Sequence, residues 1–187
     1  MGVNFLEDHA YILDYLPQGL PEEHRFKREP IAFALGESEF KILELIPKEN
    51  INLEIGIRVY IGKDMGLRDK ILHVKRRVRF EDITNTAQNE LSYIISEIVK
   101  ANQDRFVKFF NDAQSISTRF HMLELLPGLG KKTMWAIISE RKKAPFASFE
   151  DIAQRVGALH QPDKLICKRI ELELSDTNQK YHIFVTK

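Results

Sequence analysis

The apolar residues of this chain change their spacing once, near residue 82, and that change limits the possible folds more than any other feature. Before it, apolar side chains recur at every second position; after it, at every third or fourth. The first period buries one face of a strand and the second buries one stripe of a helix. The chain therefore reads as α+β, with a small β-barrel over residues 1–82 and a helical domain over residues 83–187. At 187 residues it is long enough to bury one or two cores without cross-links.

In the first part, Tyr11–Leu16 is a short strand ended by Pro17-Gln18-Gly19, and Leu20–Glu29, bounded by Pro21 and Pro30, is a loop. Ile31–Leu35 turns through Gly36-Glu37-Ser38 into Phe40–Ile46, a hairpin. Leu53, Ile55, Ile57, Val59 and Ile61 alternate strictly with Glu54, Gly56, Arg58 and Tyr60, as a half-buried strand requires. In the last strand Leu72, Val74, Val78 and Phe80 share one parity, and His73, Lys75, Arg77 and Arg79 share the other. One face is then apolar and the opposite face a row of cations. Arg76 falls on the apolar parity, which implies a bulge or an early end to the strand. Five strands in about 70 residues suit a closed barrel such as an OB-fold, with an SH3-like barrel as the competitor.

The helical part opens with Ala87, Leu91, Ile94, Ile95, Ile98 and Val99, an amphipathic stripe that Asp82, Thr84 or Asn85 is placed to cap. Asn102 precedes a second helix whose Phe106, Val107, Phe109 and Phe110 read as core. In residues 117–143, Phe120, Leu123 and Leu126 lie at helical spacing and Pro127-Gly128-Leu129-Gly130 interrupts. A further helix then runs from Lys132 to Lys143, with Met134, Trp135, Ile137 and Ile138 as its apolar residues. The stretch Leu126–Thr133 resembles the helix-hairpin-helix motif of nucleic-acid-binding proteins, in which a hydrophobic residue sits between two glycines and a basic or small residue follows.

The physical reasons for that pattern are local. Two glycines permit backbone angles and close approaches that a side chain would block. The corner ends at a helix N-terminus, whose unpaired N–H groups and positive dipole end favour a phosphate oxygen. Leu129 anchors the corner between the helices, and Lys131 and Lys132 add charge without reading sequence. A plain inter-helix turn is the competing reading. Residues 148–174 resemble a degenerate second copy. Ser148-Phe149-Glu150-Asp151 has capping-box spacing with Asp in place of Glu or Gln, and Gly157-Ala158-Leu159-His160-Gln161 stands where the first copy has its corner. Pro162-Asp163 then opens a helix through Leu174, with a strand over the alternating Ile170–Leu174 as the competing reading. Lacking the glycine pair and the lysines, this copy is expected to pack rather than bind. Lys180–Thr186 reads as a final strand returning to the barrel.

Net charge is +1, yet residues 63–80 hold seven Lys+Arg against two Asp+Glu, and residues 119–143 hold six against two. Such blocks attract polyanions locally whatever the global charge. A single cysteine, Cys167, excludes an internal disulfide framework and fits a reducing compartment. No apolar run approaches the roughly 20 residues of a membrane span. Residues 1–8 show no basic region followed by an apolar stretch, so the expected location is the cytoplasm.

The histidines, His9, His24, His73, His121, His160 and His182, stand at no metal-ligand spacing. Phosphate-loop and Gly-x-Ser-x-Gly patterns are absent from the sequence. No catalytic residue, metal or cofactor is therefore assigned. Glu150 and Asp151 read as first-turn helix residues, and Glu22-Glu23 and Glu7-Asp8 as solvated charge.

The whole order of these features resembles the archaeal proteins grouped as domain-of-unknown-function family 655 and described as predicted RNA-binding. The resemblance rests on Tyr11–Gly19 (YILDYLPQG), the Leu126–Thr133 corner, Pro145–Asp151 (PFASFED) and Lys180–Val185 (KYHIFV). It implies an OB-like barrel with a helix-hairpin-helix domain in an archaeal cytoplasm, RNA in preference to DNA, and no catalytic residues. The expected function is non-catalytic nucleic-acid binding. Gly128, Leu129, Gly130, Lys131, Lys132 and Thr133 would clamp a phosphate, assisted by the distal Arg141, Lys142 and Lys143. A barrel face bearing His73, Lys75, Arg77 and Arg79, beside Arg58 and Tyr60, would track a second backbone. The alternatives are a module that docks an acidic partner protein and, behind it, a DNA- or RNA-processing enzyme.

Overall fold

The computed structural model of the protein describes residues 7–20, 28–176 and 178–186. Most of the loop expected over Leu20–Glu29, the pair Glu22-Glu23, His24 and the first six residues lie outside the described residues. The described residues form a mixed α+β fold with a five-stranded antiparallel sheet, a two-stranded ladder and five helices. One compact unit comprises the described residues up to Ile94 together with those from Glu173 onward; the other is Ile95–Leu172.

In the first unit, β1 (His9–Leu16), β2 (Ile31–Gly36), β3 (Ile42–Pro47), β4 (Arg58–Tyr60) and β5 (Ile71–Arg77) form one sheet in the order β4-β1-β2-β3-β5. Its core gathers Ala10, Ile12, Ala32, Ala34, Leu43, Leu45, Val59 and Ile71. β2 and β3 are buried at every position, so their sequences show apolar runs in place of alternation. The strict alternation from Leu53 to Ile61 yields a three-residue strand only. Gly56 has φ +83°, a left-handed conformation that glycine adopts without steric cost, and Ile55 turns outward to 44% exposure. The chain stays tied to β1 there, since the Gly56 amide donates to Ile12 O at 2.7 Å and the Ile12 amide to Ile57 O at 3.0 Å.

The bulge that Arg76 implied lies in β5. Arg76 stands opposite Glu44 and Val74 opposite Leu45, which leaves Lys75 as the extra residue. Glu44 is fully buried at 0% exposure. The bulge brings both neighbours to it, Lys75 Nζ at 3.0 Å and Arg76 Nε at 2.7 Å. A buried carboxylate is costly unless paired, and two cations meet that requirement. Arg68 acts at the two ends of the ladder order. It donates from Nε to Gly62 O at 2.8 Å, from Nη2 to Ile61 O at 2.9 Å, and from Nη1 to Leu72 O of β5 at 3.1 Å. One guanidinium thus ties the residues following β4 to β5.

Two further carboxylates organise this unit. Glu7, expected to be solvated, is 1% exposed and accepts from the amides of Ser38 and Glu39, both at 2.7 Å. It fills the turn between β2 and β3, and its carboxylate leaves no room for a side chain at Gly36. Burial raises its pKa above the ordinary glutamate value. Glu173, also buried, accepts from the amides of Ile183, Phe184 and Val185 at 2.9, 3.0 and 2.9 Å. This corrects the expected final strand. Residues 180–186 form none, because the amides of 183–185 point at one side chain and not at a neighbouring strand. The Thr186 amide nonetheless donates to Glu39 O at 3.2 Å.

Helix α1 (Asn85–Ala101) starts where the period changes. Of the three candidate caps, Thr84 serves. Its Oγ1 accepts from the Ala87 amide at 3.1 Å and donates to Asp14 of β1 at 2.6 Å. The second unit holds α2 (Gln103–Asp112), the ladder of β6 (Ser115–Ser117) with β7 (Phe120–His121), α3 (Lys131–Lys143) and α4 (Phe149–Arg155), and α5 (Pro162–Ser175) runs through it to its boundary. Phe106, Val107 and Phe110 of α2 are buried. The helix expected around Phe120–Leu126 is only a 3₁₀ turn, Met122–Leu125, because β7 takes Phe120 and His121 first. Ser148 caps α4 as its spacing predicts, accepting from the Asp151 amide at 3.0 Å. No described helix is long and apolar enough to cross a membrane.

Removing the Arg68 guanidinium deprives three carbonyls of a charged donor. Arg68→Ala is therefore expected to lower stability by about 1.5–3 kcal/mol, read as an earlier urea midpoint; an unmoved midpoint would show that β4 and β5 are held without it. Burial pushes the Cys167 thiol up to about 12. That cysteine is expected to react with a thiol reagent only as fast as the protein unfolds, and rapid labelling in native buffer would contradict its burial.

Candidate nucleic-acid interface

The corner between the 3₁₀ turn and α3 is held from inside. The Leu126 amide donates to Leu123 O and the Leu129 amide to Leu126 O, both at 3.1 Å. Leu123, Leu126 and Leu129 are all buried. Closing so tight a turn puts Gly128 at φ +85°, where a side chain would be strained. Gly130 is different: its φ of −78° suits any residue. What the two glycines share is that a Cβ at either would meet nothing within 4 Å. The outer surface of the corner is bare, and Gly128, Gly130, Lys131 and Lys132 are all exposed.

Gly130 is the N-cap of α3 and offers no side-chain cap; the first turn holds no acidic residue. The first intrahelical bond runs from the Met134 amide to Gly130 O at 3.0 Å, so the preceding amides project from a helix start with no acceptor among the described residues. Lys131 and Lys132 flank them and enter no ion pair among the described residues. Thr133 is half-buried in the same turn. The arrangement can accept an oxyanion through amide hydrogens, the helix dipole and two ammonium groups at once.

The second copy shares the backbone device but not the chemistry. The Leu159 amide donates to Val156 O at 2.8 Å, as Leu129 does to Leu126, and Leu159 is likewise buried. Its helix, however, begins with Pro162, which has no N–H, and carries Asp163 in the first turn. A carboxylate there disfavours a second anion.

The remaining expected residues separate into places and partners. Arg141, Lys142 and Lys143 occupy the last turn of α3, about 15 Å from Lys131 at 1.5 Å per residue. Arg141 points inward, donating to Phe110 O at 2.9 Å and Ala113 O at 2.8 Å, and so closes the end of α2. Lys143 pairs with Glu140, and Lys142 is exposed. In the sheet, Arg58 Nη2 meets Glu37 at 2.7 Å, and this hydrogen bond raises its pKa. Tyr60 sets its ring edge-on to His9, 5.3 Å between centroids. Lys75 reaches Glu44 and also Glu29 at 3.1 Å. Burial alone would lower its pKa, but the hydrogen bonds to those carboxylates raise it. Arg77 Nη2 donates to Thr186 O at 2.7 Å, and Arg79 braces Asp82 and Glu81 at 3.1 Å each. His73 is exposed. Arg58 and Tyr60 on β4 and the others on or after β5 belong to opposite ends of the strand order. Among the described residues, no group of three His, Cys, Asp or Glu is placed to hold a metal ion.

One of the apolar residues of α3 does not join the core. Trp135 is 62% exposed, while Met134, Ile137 and Ile138 of the same helix are buried. The spacing 134, 137, 138 and 141 is itself a complete helical stripe, and Trp135 lies outside it, one turn beyond Lys131 on the face of the lysine. Arg119, in the loop between β6 and β7, is also exposed and unpaired among the described residues.

The family described as "Protein of unknown function (DUF655)" matches residues 6–186 of this sequence. An uncharacterized protein of Methanocaldococcus jannaschii is 51% identical over 180 residues, which span 96% of this chain and 80% of that protein. The crystal structure of Af1531 from Archaeoglobus fulgidus, assigned to the same family, is similar to this fold with a TM-score of 0.87 at 49% sequence identity, covering 96% of this chain and 100% of that one.

The turn leading into the corner carries a titratable cap. His121 Nδ1 accepts from the Leu123 amide at 3.1 Å, and Glu124 accepts from the His121 amide at 2.8 Å. Burial, then the Arg141 charge, lowers the His121 pKa from its ordinary 6.5. Because the folded value lies below the unfolded one, the stabilisation is complete above about 6.5 and declines as pH falls below it. Urea midpoints measured downward from pH 7.5 should therefore fall more steeply for the wild type than for His121→Asn, which keeps an acceptor but does not titrate; parallel curves would remove His121 from the cap.

Proposed function

The chain belongs to the DUF655 family, and on that premise we propose that it is a non-catalytic nucleic-acid-binding protein that grips a phosphate of the backbone at the Gly128–Thr133 corner. The observation that carries this reading is an uncapped helix start, with no acidic residue in its first turn, bare of side chains at two glycines and flanked by two lysines that form no ion pair among the described residues. Each of these features alone has bland explanations. Together they favour one kind of ligand, an exposed oxyanion carried on a longer polyanion. The corner therefore supports the helix-hairpin-helix reading, with the 3₁₀ turn standing in for its first helix.

The strand order supports an OB-like reading of the sheet, since β1 pairs with both β2 and β4 while β3 pairs with β5. On the sheet Arg58 and Lys75, and just beyond β5 Arg79, already have carboxylate partners. In the proposal the sheet is thus the weaker contact, and its share rests on His73 and the remaining donors of Arg77. The preference for RNA over DNA follows from the family resemblance. Phosphate contacts fix position without reading bases, so this corner alone confers little sequence preference.

Salt dependence tests the reading. Each neutralised phosphate contributes roughly 0.7–0.9 to the slope of log affinity against log salt. The double variant Lys131→Ala, Lys132→Ala is expected to lower that slope by roughly 0.7–0.9 for each phosphate it no longer neutralises, with an unchanged urea midpoint. An unaltered slope would take the corner off the binding surface, and equal affinity for an acidic protein control would favour a protein-docking module instead.

A further inference from the structure

We propose that the corner continues into a stacking site for one unpaired nucleobase, built on Trp135, so that this protein selects single-stranded over paired nucleic acid. The proposal rests on the phosphate-binding reading above and adds to it the part of the nucleotide that is held.

A groove of about 330 Å³ opens beside the start of α3. Trp135, Phe120 and Met134 supply its apolar wall, and Lys131, Arg119 and Ser115 its polar rim, with one carboxylate, Glu124, engaged by the His121 amide. Its volume lies at the low end of ligand-sized sites, suited to a planar ring system and too small for the end of a duplex. Trp135 is the single tryptophan of the chain and is 62% exposed. A large aromatic ring left in water gives a flat ring system a surface to stack on, and the neighbouring cations, which lack ion-pair partners among the described residues, attract an attached negative charge. An unpaired nucleotide combines the two requirements, a flat base and an attached phosphate.

Lys131 lines the groove and also belongs to the phosphate corner, so the two sites are continuous. Trp135 follows Lys131 by four residues, which is about 6 Å along the helix axis and the same face. One nucleotide bridges that interval, with its phosphate on the amides of the corner and its base against the indole. Bases inside a duplex are already stacked and cannot reach the ring, whereas unpaired bases stack on aromatic side chains in most single-strand recognition.

The experiment uses the full chain and three probes of matched phosphate number: an oligouridylate, a duplex RNA and inorganic polyphosphate. Intrinsic emission reports on Trp135 directly, and a labelled competitor measures affinity where the tryptophan is replaced. The expected result is that the single strand quenches Trp135 while polyphosphate binds without quenching. Trp135→Ala should weaken oligouridylate about tenfold, leave polyphosphate affinity unchanged, and be partly rescued by Trp135→Phe. Because Trp135 is exposed, these variants are expected to keep the wild-type urea midpoint. Equal oligouridylate affinity for the wild type and Trp135→Ala, with polyphosphate binding weakened in the double lysine variant, would overturn the stacking site and leave the phosphate corner standing. Failure of all three probes to bind would remove both. Quenching by an acidic peptide in place of the single strand would reassign the groove to a protein partner.

Discussion

The turn from Leu126 to Lys131 closes inward on Leu129, and that single act of burial fixes the character of the surface outside it. The Leu129 amide returns to Leu126 O, the leucine side chain enters the core, and the chain must pass through a left-handed glycine to continue into α3. What remains outside is backbone. Other helix starts in this protein carry their own neutralising groups. Thr84 caps α1, Asp104 lies in the first turn of α2, Ser148 caps α4, and Asp163 lies in the first turn of α5. Among the five described helices, α3 alone has neither a side-chain cap nor an acidic residue there. A missing cap costs about 1 kcal/mol. A helix start that is neither capped nor neutralised, and that stands beside two lysines, is the feature from which the proposal of an external anion begins.

The two basic blocks of the sequence carry similar charge and have different fates. In the first, cations serve the sheet: Lys75 and Arg76 hold the buried Glu44, Arg68 joins the ends of the strand order, and Arg79 braces a 3₁₀ turn. Buried carboxylates do corresponding work, Glu7 inside the β2–β3 turn and Glu173 under the C-terminal residues. In the second block, Lys131 and Lys132 stand at a helix start where the dipole repels them. Neither forms an ion pair among the described residues, and a phosphate would reverse the sign of the interaction with the dipole.

Much of this is legible in the sequence, and the exceptions share a cause. The change of period locates α1, and the hairpin β2–β3, the capping of α4 by Ser148 and the helix through Leu174 all follow from local pattern. The bulge at Lys75 is visible as a cation on the wrong parity. The failures involve side chains acting at long range. Glu7 reads as solvated because nothing local shows that the Ser38 and Glu39 amides converge on it. Residues 180–186 read as a strand because their pattern is strand-like, yet Glu173 takes the amides a neighbouring strand would have used. Trp135 reads as one apolar residue of α3 among four, although the stripe of Met134, Ile137 and Ile138 already leaves it outside the buried face. In the site itself, the glycine pair and lysines are legible as a motif. Whether each cation of the basic strand has a partner is not, since ion pairs such as Lys75 with Glu44 join residues far apart in sequence.

The most direct test of the central claim observes the corner amides themselves. Backbone ¹⁵N–¹H spectra recorded during titration with an RNA oligonucleotide report each N–H separately. The amides of Gly128, Gly130, Lys131 and Lys132 should show the largest downfield shifts, saturating with the binding curve. Binding that leaves these four amides unmoved while signals elsewhere shift would contradict the account.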